Sequence, residues 1–388
     1  MRSDQTSFGS RLPVATEPSV SNLPAPFAFF IPGLNGGGAQ RVFVTLVNTL
    51  VNLTNHPIHL VTAREGGVFE SLVDERVVRV VLGQKRILRS ILPLARYIRA
   101  ERPTAVVSTL DYCNVAFLCA TCFTRIPFRK VIREANVIPD QVNSLRETLE
   151  SVGLRFLMRL FYRRADDVII ITKDVETSLI SHRIVRGKRM RQIPNPVIVD
   201  RVVASASNSA APPREAFIVA IGRLSYQKGF DVLIRAFANL AHRDLRLVIL
   251  GEGPLEGELR RLAMENHIAD HVLFPGFVQN TGEYLRAASL FVLPSRWEGF
   301  SNVLMEALAA GTPIVASDCP GSPREVLEDG RLGRLAPVGD PNALAEAIAG
   351  ELDRPSATPE ARLQRASEFA PEKIAAQYLR ILTGASAQ

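Results

Sequence analysis

Two glutamates, Glu298 and Glu306, flank the start of a helical pattern in PSRWEGFSNVLMEALAAGTPIVAS. SLFVLPS reads as a strand that ends in the loop RWEGF; Ser301 or Asn302 can cap a helix running to about Ala310, with Gly311 as its stop. The free N–H groups of Asn302, Val303 and Leu304 and the helix dipole then favour an anion at that end. Anchored carboxylates cannot be that anion and would repel it. If a diphosphate sits there, Glu298 and Glu306 reach past it to hydroxyl groups, since a carboxylate accepts two hydrogen bonds from a vicinal diol. One ribose and one hexose flanking a diphosphate describe a nucleotide sugar.

Phosphate charge needs cations. AFIVAIG is followed directly by RLSYQKG, so Arg223 and Lys228 leave a strand's carboxyl end at the two ends of one short turn. A guanidinium fork and an ammonium can neutralise the diphosphate and stabilise it as a leaving group. A metal is then unnecessary, and no Asp-x-Asp pair or His/carboxylate cluster is placed to hold Mg²⁺ or Mn²⁺. His56, His59, His182, His242, His267 and His271 are scattered and form no triad. The duller reading of the glutamates, a solvated helix face complementing its dipole, leaves the two cations unexplained.

The elements that must hold these groups alternate. FAFFIPGL, a helix from about Gly38 to Leu53, IHLVT, VVRVVL, AVVSTL, KVIRE and DVIIIT fill the first half. AFIVAIG, LRLVILG, HVLFPG, SLFVLPS and TPIVAS, with helices between them, fill the second. Strands separated by helices imply parallel sheets with right-handed crossovers, hence an α/β chain of two doubly wound, Rossmann-like domains facing a cleft. Ligands bind beyond the carboxyl ends of such strands. Residues 1–26 are read as a Ser/Pro-rich tail without the apolar core of a signal peptide. Residues 27–199 are read as the first domain, 200–215 as a linker and 216–370 as the second; the family resemblance given below implies that they bind acceptor and donor respectively and that a helix at 371–388 crosses back to the first.

At 388 residues the chain can build two cores. Hydrophobic residues at 47% and charged residues at 22% exclude a disordered or fibrous class. Cys113, Cys119 and Cys122 have no His beside them and, like the distant Cys319, are read as buried thiols rather than a zinc site. Up to residue 199, Lys and Arg number 27 against 16 Asp and Glu; beyond it they number 19 against 23. Only the first half is basic, which suits an anionic surface or partner met by that half.

GRLSYQKGFDVLIRAF, LVILGEGPLEGELRRLA, VLFPGFV and the two-glutamate segment resemble the family 4 (group 1) glycosyltransferases, retaining enzymes of the GT-B fold, and the likeness covers nearly all of the chain after residue 26. The resemblance implies that Glu298 and Glu306 are the family's E-x7-E pair, with Glu298 on the transferred sugar and Glu306 on the ribose, while Arg223 and Lys228 grip the diphosphate. It places Gly36, Gly37 and Gly38 of LNGGGAQRVF near the donor's sugar and phosphate. That loop is neither a P-loop nor GxGxxG, because the GK[ST] ending is missing and position 41 is Arg; tight strand-to-helix packing is its plain alternative. Gly251, Gly253 and Phe277 are assigned to the nucleotide by resemblance. For GEGPLEG a structural turn is the stronger alternative, since Pro254 fits a helix's first turn without a ligand.

On the acceptor side, Asp111, Asn114, Arg133, Glu134 and Asn136 follow strands of the first half, and IREAN and GGGAQRVF resemble bacterial enzymes that extend lipid-linked oligosaccharides. Asp111 or Glu134 is a candidate proton relay, each with a cap or salt bridge as its alternative; the His that many family members carry here is missing. QKRILRSILPLARYIRA and GLRFLMRLFYRR space arginines among Ile, Leu and Phe, either to lie on an anionic membrane or to pack on the sheet with a solvated basic face. The expectation is a cytoplasmic enzyme, peripheral on the inner face of the cell membrane, moving a hexosyl group from a UDP- or GDP-sugar to a glycan or polyprenyl-diphosphate-linked acceptor in polysaccharide or glycolipid synthesis. No cofactor and no nucleic-acid partner are expected. A sugar-nucleotide epimerase and a non-catalytic nucleotide-binding subunit are the rivals.

Overall fold

The structure, a computed structural model, describes residues 24–138, 145–185, 190–197, 211–240, 244–278 and 280–384. Most of the expected tail and linker, His242 and the last four residues lie outside these. The first half runs β1 (Phe27–Ile31), α1 (Gly38–Leu50), β2 (Ile58–Thr62), β3 (Val78–Val81), α2 (Ile91–Glu101), β4 (Ala105–Thr109), α3 (Asp111–Ala120), β5 (Arg129–Glu134), α4 (Leu145–Phe161), β6 (Asp167–Ile170), α5 (Lys173–Ser181) and β7 (Met190–Gln192). The second runs β8 (Phe217–Ile221), α6 (Phe230–Ala238), β9 (Arg246–Leu250), α7 (Glu256–Glu265), β10 (Val272–Gly276), α8 (Thr281–Ala287), β11 (Leu290–Leu293), α9 (Asn302–Ala309), β12 (Ile314–Ser317), α10 (Pro323–Val326), β13 (Arg334–Ala336) and α11 (Pro341–Asp353), followed by α12 (Pro359–Ser367) and α13 (Pro371–Leu382).

Among the described residues the strands form two parallel sheets, ordered β3-β2-β1-β4-β5-β6-β7 and β10-β9-β8-β11-β12-β13. Parallel strands are buried on both faces, so they read as unbroken apolar runs. In β1, Phe27, Phe29 and Ile31 turn toward α1 and α13, while Ala28 and Phe30 turn toward α2 and α3. Each such Phe contributes about 2–3 kcal/mol by burial. Ile374, Ala375 and Tyr378 of α13 pack in the same cluster as Phe43 and Leu46 of α1, so the last helix lies on the first sheet. Val197, Phe300 and Phe369 belong to one apolar cluster containing residues of both sheets.

Strand order reverses between β1 and β4 in one sheet and between β8 and β11 in the other. Those reversals open a crevice at the strands' carboxyl ends. The glycine loop and Asp111 leave the first; Arg223, Lys228 and Glu298 leave the second.

Two expectations change. Helix α1 stops at Leu50, short of Leu53. Cys113 and Cys319 are buried and Cys119 is half-buried, but Cys122 is exposed, in the 3₁₀ turn Thr121–Phe123 that follows α3.

Candidate active site

The second sheet's crevice is built by close backbone contacts that only glycine permits. At Gly229 (φ +64°) a Cβ would lie 2.0 Å from the Pro294 carbonyl, so the loop after β8 seats directly on the loop after β11. The stem of Lys228 lies beside Gly222, its Cδ and Cε 3.2 Å from where a Cβ would stand. This directs Lys228 Nζ to Glu298 Oε1 at 2.6 Å, and Ser295 Oγ donates to the same oxygen at 2.6 Å. Glu298 is only 5% exposed, its N–H donating to the Pro320 carbonyl at 2.9 Å. A buried carboxylate needs such partners to offset its desolvation. Arg223 is exposed and makes no ion pair among the described residues.

Helix α9 begins with Ser301 in extended geometry, but no side chain caps it. The Ser301 N–H donates to Ser322 Oγ at 2.9 Å, and Ser301 Oγ is buried without a partner among the described residues. The first-turn N–H groups of Asn302, Val303 and Leu304 therefore lack intrahelical acceptors and a cap. They form the positive end expected of an anion site.

The first domain closes over this end. Asn195 Nδ2 donates to Asn302 Oδ1 at 2.8 Å, and the buried Arg133 donates to Asn195 Oδ1 and, at 2.8 Å, to Thr109 Oγ1. A Cβ on Gly38 would lie 2.9 Å from Asn302 Nδ2, and one on Gly299 would lie 2.1 Å from the Ala135 carbonyl. Gly37 adopts φ +131°, which favours glycine, but a Cβ there would meet only its neighbour Gln40. Gly321 N–H donates to Asp174 Oδ2 at 2.6 Å.

Glu306, one turn into α9, is shared between domains. Arg41 Nη1 of α1 lies 3.2 Å from Oε1, and Thr281 Oγ1 of α8 donates to Oε2 at 2.9 Å. The space bounded by Arg41, Pro196, Val197, Asn302 and Glu306 is about 20 Å³, room for a single water.

The structure thus gathers Lys228, Glu298, Ser301, Asn302, Val303, Leu304, Glu306 and Gly38 into one cleft, with Arg223 on its margin. Gly251 and Gly253 carry a packing role: Cβ atoms there would lie 2.0 Å from the Gly222 carbonyl and 2.4 Å from the Leu224 carbonyl. Phe277 is 70% exposed just beyond β10. Arg41, Thr281 and Asn195 were not singled out from the sequence. Arg41 stood in view only as the residue that interrupts a glycine pattern.

The acceptor-side residues divide. Arg133 and Glu134 are buried. Glu134 Oε1 accepts from Tyr162 Oη and from Asn114 Nδ2 at 2.7 Å. Burial, then the nearby Asp111, push this carboxyl up to about 8. Burial also raises Asp111, whose Oδ1 accepts the Tyr112 N–H at 2.8 Å. Asn136 is exposed at the contact with Gly299.

Known proteins resemble this chain over most of its length. Residues 36–201 match Glycosyltransferase Family 4, and residues 215–353 match Glycosyl transferases group 1. The lipopolysaccharide core biosynthesis glycosyltransferase LpsE of Rhizobium meliloti is 32% identical over 80% of this chain and 84% of its own. The N-acetylgalactosamine-N,N'-diacetylbacillosaminyl-diphospho-undecaprenol 4-alpha-N-acetylgalactosaminyltransferase of Campylobacter jejuni is 28% identical over 92% of this chain and 98% of its own. Among solved structures, Anabaena Alr3699/HepE in complex with UDP and glucose superposes with a TM-score of 0.75 at 20% identity, covering 93% of this chain and 100% of that one. That likeness shows the fold, two parallel sheets in the GT-B arrangement.

Proposed function

The chain belongs to the family 4 glycosyltransferases, and from that premise we propose that it transfers a hexosyl group from a nucleoside diphosphate sugar to a glycan acceptor carried on a lipid diphosphate, with retention of configuration. UDP-hexose is favoured over GDP-hexose; the UDP bound to Alr3699/HepE supports this choice. The diphospho-undecaprenol in the name of the Campylobacter jejuni enzyme supports the lipid-linked acceptor.

One observation carries the reading: an uncapped helix end, Lys228 and two acids converge at the strand-order reversal of the second sheet. In the proposed mechanism the diphosphate rests on the N–H groups of Asn302–Leu304, with Arg223 and Lys228 meeting its charge as the sugar bond breaks. Glu306 takes the ribose hydroxyls and Glu298 the hexose. The acceptor hydroxyl attacks from the face that the diphosphate leaves, its proton passing to the departing diphosphate. The chain's own cations supply the charge stabilisation, so the reaction proceeds without a divalent ion. Domain closure excludes water from the sugar.

Membrane contact belongs to this proposal. Among the described residues no helix is long and apolar enough to cross a membrane. Helix α4 exposes Val152, Phe156, Leu157 and Leu160 beside Arg155, Arg159, Arg163 and Arg164, chemistry suited to an anionic lipid surface at the cytoplasmic face.

The test is a nucleotide-release screen of UDP- and GDP-hexoses with a membrane lipid extract. Release that depends on both donor and extract is expected. Conversion of the nucleotide sugar without release marks an epimerase, and donor binding without either marks a non-catalytic subunit; each contradicts the reading.

A further inference from the structure

Two exposed aromatic residues adjoin the catalytic groups along the chain and have no part in the chemistry above. Tyr226, 56% exposed, lies in the turn between Arg223 and Lys228, and Trp297, 37% exposed, immediately precedes Glu298. Their centroids are 6.2 Å apart and their planes tilted by 53°. Their loops are firmly tied together. Arg296 makes two hydrogen bonds to the Asp231 carboxylate, at 2.8 and 2.7 Å, and donates to the Tyr226 carbonyl at 2.8 Å. Its backbone N–H donates to the Gln227 carbonyl at 2.8 Å, and Gln227 Nε2 donates to the Trp297 carbonyl at 3.0 Å. The Arg296 guanidinium also lies 4.0 Å from the Tyr226 ring centroid, over one of its faces, and the residue remains largely exposed. An exposed aromatic pair held by this network offers a rigid apolar face to a ligand.

We propose that Tyr226 and Trp297 form a stacking platform for a pyranose ring of the acceptor. The proposal rests on the function given above and names the acceptor contact of that site. A pyranose offers an apolar C–H face to an aromatic ring and hydroxyls to the polar groups tied into the same loops, here Gln227 and Asp231. A prenyl chain finds no continuous apolar surface among these charges; the exposed apolar row of Val152, Phe156, Leu157 and Leu160 lies on α4 of the other domain. A nucleobase belongs at the ribose end of the donor, marked by Glu306, whereas Trp297 adjoins Glu298, the hexose end. Glu298 already serves the donor's hexose, so the ring on the platform is the acceptor's.

Trp297 is the only tryptophan of the chain, so its emission reports from the platform without a label. The full-length protein is saturated with UDP, followed by calorimetry, and titrated with the methyl glycosides of glucose, galactose and N-acetylgalactosamine. At least one should change the emission saturably. Tyr226→Ala should raise that glycoside's Kd about tenfold, the equivalent of about 1.4 kcal/mol, with UDP affinity unchanged. Tyr226→Phe, which keeps the ring, should bind like the parent and so separates stacking from mere loop support. If UDP binds but no glycoside perturbs Trp297, or the emission answers to UDP alone or to a sugar-free prenyl phosphate, the platform is overturned. If UDP does not bind, the donor-site reading fails and the platform falls with it.

Discussion

Lys228 Nζ lies 2.6 Å from Glu298 Oε1, joining the loop after β8 to the loop after β11 through a pair whose side chains are 18% and 6% exposed. Removing one member of a buried pair strands the other without compensation, at about 3–5 kcal/mol. Lys228→Ala should therefore lower the thermal midpoint as well as abolish nucleotide release. Lys228→Met combined with Glu298→Gln should recover most of the midpoint and none of the release. Recovery of release by the double variant would remove both residues from the chemistry.

Gly299 is fixed by sterics at the domain contact, because a Cβ there would meet the Ala135 carbonyl at 2.1 Å. Gly299→Ala should hold the domains slightly apart and cost about 100-fold in transfer rate, the scale expected of a small misplacement. The midpoint of unfolding should stay close to that of the parent, since neither domain core is touched. Small-angle X-ray scattering should show a larger radius of gyration. An unchanged radius with full activity contradicts the assigned closure.

Glu134 makes stability fall as pH rises. Its carboxyl stands at about 8 in the fold against an ordinary 4.5, so between those values the folded chain holds a proton that the unfolded chain has released. The unfolding free energy then declines across that window and levels off above it. Asp111, Tyr162, Asn114 and Arg133 surround the group. Glu134→Gln keeps the Tyr162 and Asn114 partners within reach and should flatten the decline in denaturant titrations from pH 5 to about 8. An unaltered slope would place the titrating group elsewhere.

Phe156, 62% exposed, is the most exposed large apolar residue among the described side chains of α4. Co-sedimentation with vesicles containing anionic lipid should fall severalfold for Phe156→Ser, and should fall with added salt. Binding equal to the parent would detach α4 from the membrane.

Much of this was legible in the sequence because β1, β4, β6, β8 and β11 are buried on both faces and read as unbroken apolar runs. Strands β7 (MRQ) and β13 (RLA) escaped notice; each is a three-residue edge strand with little apolar character. Helix α11 carried a readable start, Asp340 capping it ahead of Pro341, yet no ligand argument led there. The glutamates and cations of the second domain stood out through spacing within two short segments, 223–228 and 298–306. Their cross-cleft partners Arg41 and Asn195 did not, since their meaning depends on a domain contact that no local pattern announces. Ser301 looked like a cap, but its N–H is bound by Ser322 and its hydroxyl caps nothing.

The central claim is that the donor's diphosphate sits on the first turn of α9 and its ribose on Glu306. A crystal structure of the protein with UDP tests it most directly. The account predicts the diphosphate against the N–H groups of Asn302–Leu304, the ribose hydroxyls on the Glu306 carboxylate, and Arg41 moved off Glu306 Oε1, to which it is now 3.2 Å away. A diphosphate bound elsewhere, with Glu306 still held by Arg41 and Thr281, would contradict it.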